Sequence, residues 1–292
     1  MNTREISNIK NVSDIQRVMN ANQVVWQGGS LKSLPIGSKV VDPNTKYYDK
    51  PIVWIIADKN HPGYPANTVT LISEKILCLK AFDGKEPRNT NEDRKNYGND
   101  YYKNSNLLQW LNSGSSNWYS AQHGADAPPN SNNIYEGYNP YDSELGFLYN
   151  FSSDFKSAML STSLKTVRRS LDGGGSEMVT SKIFLASTTE VGLPDENGIA
   201  EGTKFPIFDG NDSRKAYLTS EALTRSTYKA SNLDPTRTWW WWLRTPRADY
   251  VSYARDVDIK GSLDYFRTFL SYGGVRPLCN VKNDSTFFEV IK

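Results

Sequence analysis

Two stretches decide how this chain reads: TWWWWLRTP at Thr238–Pro246 and GGVRPLCNV at Gly273–Val281. In an extended strand, successive side chains point to opposite faces. Trp239, Trp240, Trp241 and Trp242 therefore divide into two pairs, one of which must face a core. Burial of such rings contributes a few kcal/mol each, on the order of 25 cal/mol per Å² removed from water. The second pair either packs beneath loops or faces solvent as a platform for sugar stacking. Arg244 and Arg276 each closely precede a proline. A buried guanidinium has to be paired, so both are expected to cross-link loops through carbonyls or carboxylates.

Outward from these motifs the chain is a series of short β-rich runs separated by long polar loops. LPIGSKVV, KPIVWIIAD, VTLISEKILCLKAFD, KIFLASTTEVGL, YVSYARDVDIKG, VRPLCNV and TFFEVIK read as strands, KPIVWIIAD as a central one and VTLISEKILCLKAFD as a strand that leads on into a strand or helix. NLLQWLNSG reads as a short amphipathic helix stopped by Gly114. FLYNFSSDFKSAMLSTSLKTVRR is the strongest helix candidate, with SSDF at its N-cap. Residues 84–105 read as a charged loop and residues 112–145 as a long aperiodic one. Loops of that length are uncommon unless functional or strapped down, and Trp118, Tyr119, Tyr135, Tyr138 and Tyr141 favour strapping. Residues 1–30 read as a separate β-hairpin or arm before the break Gly28-Gly29-Ser30, and residues 31–292 as the main domain. A lone hairpin is marginal in water, so this one should dock on the domain or on a partner.

The 292 residues carry 34 basic and 32 acidic side chains, a formal charge of +2, with no basic cluster. Nucleic acid is therefore not an expected partner. No apolar run approaches a membrane span, and MNTREISNIK lacks the apolar region of a secretory signal. The expectation is a protein folded in a cytoplasm that meets the outside through cell lysis. Aromatics make up 12% of the chain, with 17 Tyr and 8 Trp among abundant Asn, Ser and Gly. Binding loops favour that mixture, and so does a loop-rich protein with half-buried tyrosines. Cys78 and Cys279 sit in separate apolar runs and read as two buried thiols, with a disulfide as the alternative.

WLN within Leu107–Asn112, KIFLASTTEVGL, WWLRTP and GGVRPLCNV together resemble a bacterial and bacteriophage domain family, DUF6273. The resemblance spans roughly residues 35–281. That family is similar to the C-type-lectin-like fold of formylglycine-generating enzymes and of the variable proteins of diversity-generating retroelements. It implies an α+β, C-type-lectin-like domain with short antiparallel strands, few helices and long loops. In the retroelement proteins, the stretch between the two motifs presents the ligand contacts. Carried over by position, Tyr250, Ser252, Tyr253, Arg255, Asp264, Tyr265, Phe266 and Arg267 become candidates, and strand alternation turns about half of them outward. The competing reading is an ordinary amphipathic hairpin turning at Lys260-Gly261-Ser262.

Catalytic signatures are sparse. His61 and His123 are single loop histidines without metal-ligand spacing, and Cys78 and Cys279 do not match the cysteine pair of the formylglycine-generating enzymes. Asp142 with Glu144, or Asp256 with Asp258, are the acidic pairs a glycan hydrolase would use. Solvation, or a structural Ca²⁺ held by oxygen ligands, explains such pairs equally well. The expectation is a non-catalytic virion protein of a tail, fibre tip or baseplate, present in many copies. Residues 1–30 would dock on other virion proteins, while aromatic loops bind a host-surface glycan or protein. A purely structural decoration, collar or plug protein is the first alternative, and a glycan-acting hydrolase the second.

Overall fold

The computed structural model describes residues 30–291. Apart from Ser30, the expected N-terminal hairpin lies outside the described residues. Among the described residues, besides four short 3-10 turns, there are five α-helices, all but the fourth capped by a polar side chain: α1 (Glu92–Tyr97), α2 (Asn106–Leu111), α3 (Ser153–Ala158), α4 (Asn211–Arg214) and α5 (Ser220–Arg225). Asn91 caps α1 by accepting from the amides of Asp93 and Arg94, and Ser105, Ser152 and Thr219 do the same for α2, α3 and α5. The rest of the regular structure is β. In chain order the strands are β1 (Lys39–Tyr47), β2 (Lys50–Lys59), β3 (Thr68–Ser73), β4 (Cys78–Leu79), β5 (Met159–Leu160), β6 (Thr162–Val167), β7 (Ser176–Ser181) and β8 (Ile183–Phe184). They continue as β9 (Ala216–Tyr217), β10 (Thr238–Trp239), β11 (Trp241–Pro246), β12 (Tyr253–Val257), β13 (Leu263–Arg267), β14 (Gly274–Val275), β15 (Leu278–Lys282) and β16 (Glu289–Ile291).

One sheet runs β16-β1-β2-β3-β15-β5, with β8 also paired to β15; a second runs β13-β12-β11-β14-β4, and β9 with β10 and β6 with β7 form two-stranded ribbons. GGVRPLCNV is the crossing between them. Its β14 half pairs with β4 in the second sheet, its β15 half pairs with β3 in the first, and Arg276-Pro277 sits at the passage. The Arg276 Nε donates to the Ser73 carbonyl at 3.0 Å, tying the crossing to the end of β3. Gly273 is required just before it. A Cβ there would lie 2.1 Å from Nε1 of Trp242.

All four tryptophans of Trp239–Trp242 are buried. Trp239 donates its indole N–H to the Tyr272 carbonyl, Trp241 to that of Arg214, and Trp242 to that of Lys80. No ring is left as an open platform. The loop of residues 112–145 is strapped as its aromatics imply: Trp118 stacks on Tyr141 with centroids 5.4 Å apart and donates to the Tyr141 carbonyl.

Several local expectations change. The helix expected from Phe147 onward is confined to Ser153–Ala158, and β5 and β6 follow. Thr162, Leu164 and Thr166 are buried while Ser163 and Lys165 are exposed, a period of two that favours a strand, and β7 supplies the partner. KIFLASTTEVGL is a strand only at Ile183–Phe184, because its ThrThrGlu segment folds round Glu190, whose carboxylate is drawn inward. Residues 84–105 contain α1 rather than being loop throughout. Cys78 and Cys279 are both free and buried.

Candidate functional site

Strand β11 passes from the interior to the surface, and its arginines show the passage. Arg244 is fully buried. Its guanidinium holds both carboxylate oxygens of Glu190 at 2.6 and 2.8 Å and donates to the carbonyls of Leu185 and Glu201. Burial opposes its charge, but Glu190 beside it outweighs burial and holds the group above its ordinary value. Around this pair, Tyr64 donates to Glu190 and Thr245 to Glu201, and burial raises the carboxyl of Glu201. These contacts pin the loops carrying Tyr64, Glu190 and Glu201 to β11, and they leave little open to a ligand.

Beyond β11 the β12–β13 hairpin carries a different arrangement. Tyr253 lies opposite Arg267, and Arg255 opposite Tyr265, so two tyrosines and two arginines alternate on one face. The Arg267 Nε donates to the Tyr253 hydroxyl at 2.8 Å, and its guanidinium lies 3.4 Å from the centroid of Tyr97. Arg255 pairs with Glu196, whose other oxygen accepts from the Ala248 amide at 2.9 Å. Arg247 lies over Tyr265 at 3.3 Å and over Tyr250 at 4.3 Å. Tyr250, 52% exposed, forms the outer edge of the cluster and meets Tyr253 edge-on. Stacking of guanidinium on tyrosine contributes on the order of 0.5–1 kcal/mol per contact where solvent reaches it. It also fixes the plane of each side chain in advance of any ligand.

Of the residues expected at the site, Tyr250, Tyr253, Arg255, Tyr265 and Arg267 come together. Ser252 does not join them. It is buried with φ of +67°, its carbonyl accepts from the Thr268 amide at 2.9 Å, and its hydroxyl has no hydrogen-bond partner among the described residues. Asp264 and Phe266 belong to the opposite side of the hairpin. Phe266 packs on Trp240 at 4.6 Å. Asp264 stands directly across from Asp256, whose carboxylate is buried and without a hydrogen-bond partner among the described residues. Burial, with Asp264 and Asp258 adding to it, pushes the Asp256 carboxyl well above the carboxylate range. Arg247, Tyr97 and Glu196 complete the cluster and were not expected. Tyr97 arrives from the end of α1 and Glu196 from a distant loop, and neither carries a local signal. Arg247 stands just past the WWLRTP motif, within reach of a closer reading.

One member of each acidic pair is engaged in the fold. Asp258 caps the hairpin turn by accepting from the amides of Lys260 and Ser262, while Glu144 holds the buried Lys80 ammonium at 2.7 Å. Among the described residues, no group of three or more His, Cys, Asp or Glu side chains is placed to hold a metal ion. His61 is bound to Asp58 at 2.6 Å and His123 to Glu86 at 2.9 Å. Nor is any helix of the described residues long and apolar enough to cross a membrane. Two cavities, of about 370 and 210 Å³, meet at Tyr48, Glu144 and Arg225, away from the hairpin face.

Residues 66–283, from the loop before β3 to the end of β15, match the family model described as a domain of unknown function, DUF6273. The chain belongs to that family. No curated protein and no solved structure matches it. In this DUF6273 protein the matched span includes the Arg244 network apart from Tyr64 and the whole tyrosine–arginine face, whereas β1, β2 and β16 lie outside it.

Proposed function

We propose that this DUF6273 protein is a non-catalytic recognition protein that binds a glycan or protein of a cell surface through the β12–β13 face. One observation carries the reading: Tyr250, Tyr253, Tyr265, Arg247, Arg255 and Arg267 form a contiguous, solvent-reached cluster whose ring and guanidinium planes are already fixed. Side chains ordered in advance lose little entropy on binding, and tyrosine and arginine are the types that dominate recognition surfaces. We further propose a C-type-lectin-like fold, supported by a seven-stranded and a five-stranded sheet of mostly short strands that carry long, strapped loops, and a place on a bacteriophage particle. On a particle, many copies would multiply a weak single-site affinity.

The test is binding of the full chain, free and displayed multivalently, to whole cells and isolated walls of candidate hosts. Saturable binding that Tyr250→Ala and Tyr265→Ala reduce at least tenfold, with circular dichroism unchanged, supports the reading. Absence of binding even in multivalent form would sink it and favour a purely structural role.

A further inference from the structure

We propose that the group recognised by this face is a sugar carboxylate, so that the ligand is an acidic polysaccharide anchored by Arg247. The inference rests on the recognition reading above and names its ligand class.

The charges on the face do not balance. Arg247, Arg255 and Arg267 gather there, and the carboxylate in hydrogen-bond contact with them is Glu196, already spent on Arg255 and the Ala248 amide. Arg267 is satisfied by the Tyr253 hydroxyl and the Tyr97 ring. Arg247 alone donates no side-chain hydrogen bond among the described residues, and its Nε is shielded from solvent without a partner. A guanidinium offers five N–H donors in a planar fork, and the terminal ones here reach solvent without a protein acceptor, so they are free to take one from a ligand. Its backbone is held firmly while it waits. The Arg247 amide donates to the Tyr253 carbonyl at 2.8 Å, and its carbonyl accepts from Arg169 at 2.9 Å.

The geometry favours a flat acceptor. The guanidinium lies 3.3 Å from the Tyr265 centroid and close over Tyr250, so a group that meets its edge bidentately must lie along the ring faces. A planar carboxylate fits that plane, whereas a tetrahedral phosphate projects out of it. Tyr250, half exposed beside it, offers a ring to the apolar face of the same sugar. The array is open and extended rather than a closed pocket, which suits successive residues of a chain.

The experiment measures binding of the full chain to oligomers of galacturonate, alginate, hyaluronate and polysialate, each beside its methyl ester, with polyphosphate as a charge control. The expected result is binding to at least one acid polymer, weakened at least tenfold by esterification and by Arg247→Lys, which keeps the charge but loses the fork. An unchanged melting temperature for the variant shows that the loss is local. Equal binding of acid and ester, indifference to Arg247→Lys, or equally tight binding of polyphosphate would each overturn the carboxylate inference. Failure with every acid polymer, while binding to cells persists and depends on Tyr250, would overturn it too but leave the recognition reading standing. Failure on cells as well would remove both.

Discussion

Arg244 is sealed in the interior with both oxygens of Glu190 on its guanidinium, whereas Arg247, three residues further along, lies across two tyrosine rings and pairs with no carboxylate among the described residues. The same side chain thus does two jobs on one run of chain, and the environment decides which. Inside, a guanidinium without a carboxylate would carry an uncompensated charge, so the structure spends its acids there. At the surface, water tolerates the charge, and an unspent guanidinium becomes a means of binding. Structural and functional arginine are told apart here by where the carboxylates are.

That contrast can be broken by experiment. Removing one partner of a buried pair strands the other, so Arg244→Ala should cost about 3–5 kcal/mol of stability in chemical unfolding, and Glu190→Gln a substantial part of that. A loss below about 1 kcal/mol would mean that the interior pair is not the anchor described here. Gly273→Ala tests the same interior from its packing side. A methyl group forced against Trp242 should cost roughly 1–3 kcal/mol or more, read as a fall in melting temperature.

The hairpin's inner face gives a pH-dependent prediction. The Asp256 carboxyl is raised in the folded protein, so its neutral form is the stable one. The stability it contributes is fully present below the ordinary carboxylate range and is lost as pH rises through the raised value. Asp256→Asn, which stays neutral, should therefore raise the melting temperature at neutral pH, and the gain should shrink as pH falls toward about 4. A gain independent of pH would show that Asp256 finds a donor in solution. The smallest effect on stability belongs to Arg247→Ala. It should change stability by no more than about 1 kcal/mol, while binding to the proposed surface is lost. Destabilisation on the Arg244 scale would place Arg247 with the interior set.

Much of this was legible in the chain. The tryptophan run leading into β11 declared a core strand for one pair of its indoles, and the structure buries the other pair as well. Arg276 and Arg244, each close to a proline, read as structural cross-links and are. The aromatics of residues 112–145 announced a strapped loop. Misreadings came where one local signal had two outcomes. Ser152 does cap a helix, but the helix is short because the β-branched residues that follow find a partner in β7. Ser252 shares the polarity of its neighbours, yet a left-handed backbone turns it inward.

By itself, then, the sequence determined most of the longer strands, the burial of the tryptophan run's core pair, and which hairpin carries alternating tyrosine and arginine, because these follow from local periodicity and side-chain chemistry. Tertiary structure alone decided which arginines are neutralised. Glu190 reaches Arg244 across 54 residues and Glu196 reaches Arg255 across 59, while Tyr97 comes to Arg267 from α1. Coulomb attraction and ring stacking act only at a few ångströms, so no spacing along the chain foretells these pairs; the fold must first bring the loops together.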